Sequence, residues 1–91
     1  MAAKQVIYLG HVQGVGFRYT AKQIASGYDV VGTVRNLPDG SVEMKVQAHD
    51  SEELEAFLEA VQESSLRGNI RGIKMLDLPA LTGIRGFTIS H

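Results

Sequence analysis

Two stretches of this chain place their apolar residues on a single helical face, and the segments around them read as short strands. That combination forces a layer of helix onto a layer of sheet. In the first stretch Phe17, Ala21, Ile24, Ala25 and Tyr28 fall at i, i+4, i+7, i+8 and i+11. They form one stripe of a helix running to about Ser26, with Gly27 as its C-terminal stop. In the second, Leu54, Phe57, Leu58 and Val61 form the stripe, and the helix ends near Ser64. Asp50 reads as its N-cap, with Glu53 as the capping-box partner. Glu52, Glu53, Glu55 and Glu59 lie off the stripe and read as a solvated face. The early ones also suit the helix dipole.

The strands follow from alternation and turn chemistry. Gln5 to Leu9 is a β-rich apolar run and makes strand one. Val30 to Arg35 makes strand two, and Pro38-Asp39-Gly40 is a turn. In strand three Val42, Met44, Val46 and Ala48 face one side, and Ser41, Glu43, Lys45 and Gln47 the other. One face is expected to be buried and the other wet or lightly covered. Ile70 to Leu76 is the expected fourth strand, Leu78 to Gly83 a connection, and Phe87 and Ile89 mark a short last strand. The order β-α-β-β-α-β plus one strand predicts an α+β, ferredoxin-like sandwich. Its sheet would be mostly antiparallel, with two helices on one face and an extra short C-terminal strand. A single domain over residues 1–91 is expected at this length. The fold hosts many functions and does not choose among them.

Composition narrows the classes. A net charge of −1 gives no broad polyanion-binding surface, so no nucleic-acid partner is expected. The chain has no cysteine, which removes disulfides, thiol chemistry and thiolate metal ligands and fits a reducing cytoplasm. No apolar run approaches the roughly 20 residues of a membrane span, and Met1-Ala2-Ala3-Lys4 lacks the apolar stretch of a secretory signal. His49 and His91 have no partner at metal-ligand spacing, and the carboxylates are dispersed.

The chemistry concentrates where strand one meets helix one. Gly10-His11-Val12-Gln13-Gly14-Val15-Gly16-Phe17-Arg18 is a glycine loop ending in an arginine at the first helical turn. Glycines permit a tight bend and close approach of a ligand, and a helix start aims free N–H groups into the loop. Successive N–H groups from about Gly14 to Arg18 would form a nest for phosphate oxygens, with Arg18 adding a forked, permanent charge. The alternative is a plain strand-to-helix turn with an exposed arginine. The loop is neither a P-loop nor a dinucleotide fingerprint, because the required lysine, hydroxyl and G-x-G-x-x-G spacing are missing. Asn36, at the end of strand two, supplies a carboxamide able to accept from a water and donate to an oxyanion, or else to close an Asx-type turn. His11 reads as an exposed loop histidine, and Arg35 as a residue on the opposite sheet face.

Taken together, GHVQGVGFR (residues 10–18) and GTVRNLPDGSVE (residues 32–43) closely resemble the two signature segments of the acylphosphatase family. The resemblance is strong from Gly10 to Val42 and looser in the C-terminal third. It implies hydrolysis of the carboxyl–phosphate bond of acyl phosphates, with a small-molecule substrate, phosphate as product and no cofactor or metal. By position, Arg18 would bind phosphate and Asn36 would orient the attacking water. Gln13, Gly14, Val15, Gly16, Phe17 and Arg18 would form the backbone cradle. Departures are Thr33 where an aromatic usually stands, Ala48 where glycine is common, and Ser26-Gly27-Tyr28-Asp29 in place of a leucine-glycine-leucine lead. A free-standing cytoplasmic monomer is expected, in preference to the corresponding domain of a larger carbamoyl-transfer enzyme. The competing class is a non-catalytic module of the same fold for RNA or a small anion. Strand three offers such a module no aromatic for base stacking.

Overall fold

The computed structural model describes residues 1–91. Its elements run β1 (Ala2–Gly10), α1 (Phe17–Ala25), β2 (Val31–Asn36), β3 (Val42–Ala48), α2 (Ser51–Gln62), a 3-10 turn (Arg67–Asn69), β4 (Ile70–Leu78) and β5 (Phe87–Ser90). The five strands form one sheet in the order β4-β1-β3-β2-β5. The β1–β3, β1–β4 and β2–β3 pairs are antiparallel, and β5 runs parallel to β2. This is the ferredoxin-like α+β sandwich with its extra terminal strand.

Burial explains the layering. Every second residue of a strand faces one side of the sheet. Val6 and Tyr8 of β1, Val34 of β2 and Val42, Met44, Val46 and Ala48 of β3 share one core cluster with Phe17, Ala21 and Ala25 of α1. Leu54, Phe57, Leu58 and Val61 of α2 complete it. Phe57 bridges Tyr28 and Phe87 in edge-on aromatic contacts with centroids 5.9 and 5.7 Å apart. No helix is long and apolar enough to cross a membrane.

Several local expectations change. Strand β1 starts at Ala2 and β4 continues to Leu78, because Ala3 and Leu78 pair in the same ladder. Leu78 therefore belongs to the sheet and not to the connection. Gly27 does follow the end of α1, but without a positive φ. The helix instead tightens through i→i+3 bonds, from Ser26 to Gln23, Gly27 to Ile24 and Tyr28 to Ala25. Asp50 caps α2 by accepting the Glu52 N–H at 2.9 Å. Glu53 does not complete a capping box: its carboxylate accepts the Asp29 N–H at 2.9 Å, tying α2 to the approach to β2.

The sheet face away from the helices is covered more than alternation suggests. Glu43 and Gln47 are each only 8% exposed. Glu43 accepts from Gln5 at 2.8 Å and from the Arg35 Nε at 2.9 Å, its cross-strand neighbour. The Gln47 Oε1 accepts the Leu81 N–H at 2.6 Å, which pins the crossing from β4 to β5 over this face. Burial alone raises the proton affinity of Glu43, but the hydrogen bonds from Arg35 and Gln5, with the Arg35 and Lys45 charges, outweigh it. Its pKa lies below the ordinary value.

Two stability measurements test this packing. A carboxylate with a lowered native pKa stabilises the fold above its unfolded value, and that contribution is lost as pH falls through the native one. The expected result is that Glu43→Gln flattens the fall of Tm with pH below about 4.3; parallel wild-type and variant curves would contradict the network. The Tyr8 hydroxyl is fully buried with no protein partner, and desolvation raises its pKa. Tyr8→Phe is expected to leave stability unchanged or raise it by about 1 kcal/mol, read as a shift in the urea midpoint. A clear loss of stability would mean that the hydroxyl is satisfied in solution.

Candidate active site

The loop between β1 and α1 is held at both ends by side chains that the core takes up. Val12 is 1% exposed and Phe17 2%, whereas Gly14 and Gly16 between them are exposed. Phe17 also stacks at a tilt on Tyr8, centroids 4.8 Å apart. Gly14 and Gly16 have φ of +76° and +77°, and no other residue of this loop stretch past Gly10 has a positive φ. The sign of φ therefore alternates along Gln13 to Phe17, the condition for successive N–H groups to converge on one point. A Cβ at either glycine would meet nothing within 4 Å, so it is the left-handed conformation, and not crowding, that selects glycine there.

These N–H groups are unspent. Gly16 is the N-cap of α1 and provides no side-chain cap. The first backbone bond into the helix from outside it is Thr20 N–H to Gly16 at 2.9 Å, and the N–H groups of Gly14 to Tyr19 have no acceptor in the protein. The positive end of the helix dipole adds to them. Arg18, half-buried, has no carboxylate within salt-bridge distance, whereas Arg35 is paired with Glu43 and Arg67 with Glu63. The Arg18 Nη1 lies 3.2 Å from the His91 Nδ1.

Asn36 ends β2 opposite this loop, exposed, and its carboxamide makes no hydrogen bond in the protein. The turn after it is closed by other groups. The Leu37 N–H donates to Ser41 at 2.9 Å, and the Asp39 carboxylate accepts from the Ser41 N–H and hydroxyl. Those Ser41 bonds lower the Asp39 pKa. Asn36 is therefore not an Asx-turn residue here. Gly14, Gly16, Phe17, Arg18 and Asn36 line one cavity of about 160 Å³ together with Val12 and Tyr19. Its size and its convergent donors suit a tetrahedral oxyanion. Larger hollows of about 350, 440 and 260 Å³ lie elsewhere, but in each the cation stands among carboxylates: Lys4 with Glu55 and Asp77, Lys4 with Glu55, Glu59 and Glu63, and Arg67 with Glu63.

Two of the expected cradle residues do not line the cavity. The half-buried Gln13 side chain turns away to donate from Nε2 to the carbonyls of Leu37 at 2.8 Å and Ser41 at 2.9 Å. It thereby braces the loop against the turn that follows Asn36. Val15 packs against the core. His11 is exposed and is tied only through its backbone, donating to Asn69 at 2.9 Å. Arg35 lies on the opposite face, as alternation requires. Sequence reasoning passed over two neighbours of the site, His91 and Tyr19. His91 arrives because β5 runs parallel to β2 and ends beside it, a pairing no local pattern encodes. Tyr19 had a visible signal, an aromatic off the buried stripe and next to Arg18.

Comparison with known proteins fits this geometry. The family model described as Acylphosphatase matches residues 4–89. An acylphosphatase of Bacillus licheniformis is 36% identical over 91 residues, covering all of both chains. One from Listeria welshimeri is 52% identical over 59 residues, covering 65% of this chain and 62% of its own. The crystal structure of an acylphosphatase from Bacillus subtilis superposes with a TM-score of 0.89 at 33% identity, with all of both chains aligned. On sequence and on fold, this chain belongs to the acylphosphatase family.

Proposed function

We propose that this chain hydrolyses the carboxyl–phosphate bond of acyl phosphates, releasing a carboxylate and inorganic phosphate, and that Arg18, the Gly14–Phe17 backbone and Asn36 carry the reaction. The observation that supports this most is their meeting in one small cavity, where the backbone N–H groups and the Asn36 carboxamide have no protein partner and Arg18 meets only the His91 ring nitrogen. The proposal includes a single domain over residues 1–91, built on one core cluster shared by sheet and helices. It also includes a monomeric, cytoplasmic enzyme.

The chemistry asks little of the protein beyond position and charge. An acyl phosphate has a carboxylate as leaving group, so the bond is already activated. Water attacks phosphorus, the bond from phosphorus to the acyl oxygen breaks with its electron pair going to the carboxylate, and a phosphate oxygen takes the proton the water sheds. The convergent N–H groups and the Arg18 fork hold the non-bridging oxygens as their charge redistributes. The Asn36 carboxamide accepts from the water and keeps it in line with the leaving group. Gln13 acts indirectly, by fixing the distance between the half of the site that holds phosphate and the half that holds water.

Benzoyl phosphate tests the roles. Wild-type protein is expected to release phosphate from it above the spontaneous rate, without added metal and undiminished by a chelator. Absence of turnover would refute the proposal. Arg18→Ala is expected to lose both rate and competitive inhibition by phosphate, whereas Asn36→Ala loses roughly 10²–10³ in kcat and keeps phosphate inhibition. Wild-type turnover by Asn36→Ala would exclude its water-orienting role. Gln13→Ala removes two hydrogen bonds and is expected to cost about 1–3 kcal/mol of stability, read by denaturant titration. It should also lower kcat more than it weakens phosphate inhibition, and an unchanged kcat would reduce Gln13 to a purely structural residue.

A further inference from the structure

Tyr19 is the one large aromatic left over by every structural requirement of α1. The buried residues of the helix are Phe17, Ala21 and Ala25, and Tyr19 lies off that line, 66% exposed. Its hydroxyl makes no hydrogen bond in the protein, and neither of the helix's aromatic neighbours in the core, Tyr8 and Tyr28, pairs with its ring. A solvent-facing position of this kind usually takes a lysine, glutamine or alanine, which propagate a helix as well or better, and Lys22 and Gln23 fill the next turn. Tyr19 nevertheless lines the cavity that Arg18 and Asn36 share. Helical side chains lean toward the N-terminus of their helix, which directs this ring toward the mouth of the cradle.

Once phosphate oxygens occupy the N–H groups and Arg18, the remainder of the substrate has to project outward, because Val12 and Phe17 close the inner wall as buried core residues. The group that projects is the acyl substituent. We propose that the Tyr19 ring is the platform on which it lies, making Tyr19 a specificity-determining residue. The favoured substrates are then acyl phosphates whose acyl group presents a flat or extended apolar face, in preference to the smallest ones. A tyrosine suits this task because it offers a large, rigid face with only two side-chain torsions to fix. A face-on aromatic contact at an exposed site is worth about a threefold to tenfold gain in binding.

This inference rests on the acyl phosphate hydrolase reading, and one experiment separates the two. The ratio of kcat/KM for benzoyl phosphate to that for acetyl phosphate is measured in wild type, Tyr19→Ala and Tyr19→Phe, with inhibition by inorganic phosphate measured alongside. The expected result is a ratio about threefold to tenfold lower in Tyr19→Ala, carried mainly by KM for benzoyl phosphate. Tyr19→Phe should restore the wild-type ratio, and phosphate inhibition should be equal in all three proteins. An unchanged ratio in Tyr19→Ala overturns the platform while leaving the hydrolase reading intact. So does a Tyr19→Phe that behaves like Tyr19→Ala, which would assign the effect to the hydroxyl, or a parallel loss of phosphate inhibition, which would mean a damaged cradle. Wild-type protein that turns over neither substrate refutes both readings.

Discussion

The whole site hangs on one residue of β3. Val42 is paired with Tyr8 on one side and with Asn36 on the other. The last β1 residue to pair with β3, two residues short of the glycine loop, and Asn36 at the end of β2 thus flank the same position, two inter-strand spacings apart, or about 10 Å. Hydrogen-bonded registers are discrete, and a slip by one residue turns every side chain to the other face. The distance between the glycine loop and the Asn36 carboxamide is thus set by the ladder and by the apolar alternation of β3, without any direct bond between Arg18 and Asn36. Gln13 refines it with a side-chain tie from the loop to the far strand's turn.

A nest of unpaired N–H groups and an arginine without a carboxylate partner are mutually repulsive and gain nothing from each other. They persist because anchors outside the site hold the backbone in place. Val12 and Phe17 are fixed in the core on either side of the loop, and the β1 end is tied through His11 to Asn69. In such a preorganised site the donors need no reorganisation when charge develops on an oxyanion. The open sheet face follows the opposite rule. There Gln5, Arg35, Glu43 and Gln47 satisfy one another and the crossing chain. On that face polar side chains are spent on one another, whereas in the loop the donors are left free.

What the sequence made legible was whatever depends on local periodicity. The stripes of α1 and α2, the alternation of β3 and the turn at Pro38-Asp39-Gly40 each carry their own signal, and together with the two signature segments they located the loop, Arg18 and Asn36. What stayed hidden depends on distant partners. Leu78 is a strand residue only because Ala3 is there to pair with it. Glu53 caps nothing because the Asp29 N–H lies within its reach. The motif placed the Gln13 backbone in the cradle but said nothing of its side-chain amide, which spans 24 and 28 residues of sequence to reach Leu37 and Ser41. For Glu43 and Gln47 the sequence left open a wet or a lightly covered face, because alternation says which face a side chain points to, and nothing about what later covers that face.

The parallel strand β5 has a consequence beyond the site. Without it β2, which ends in Asn36, would be the rim of the sheet, presenting a row of free main-chain donors and acceptors. Such a rim is a template on which another chain can add itself, the first step of edge-to-edge aggregation. Its cover does not come from a neighbouring hairpin but from Phe87–Ser90, reached only after the chain has crossed the sheet under the grip of Gln47. Contacts of such long sequence separation close slowly. The outer edge of the strand that bears Asn36 therefore stays open until Phe87–Ser90 docks, and the short segment that ends the sheet protects the chain from its own copies as well as completing the ladder.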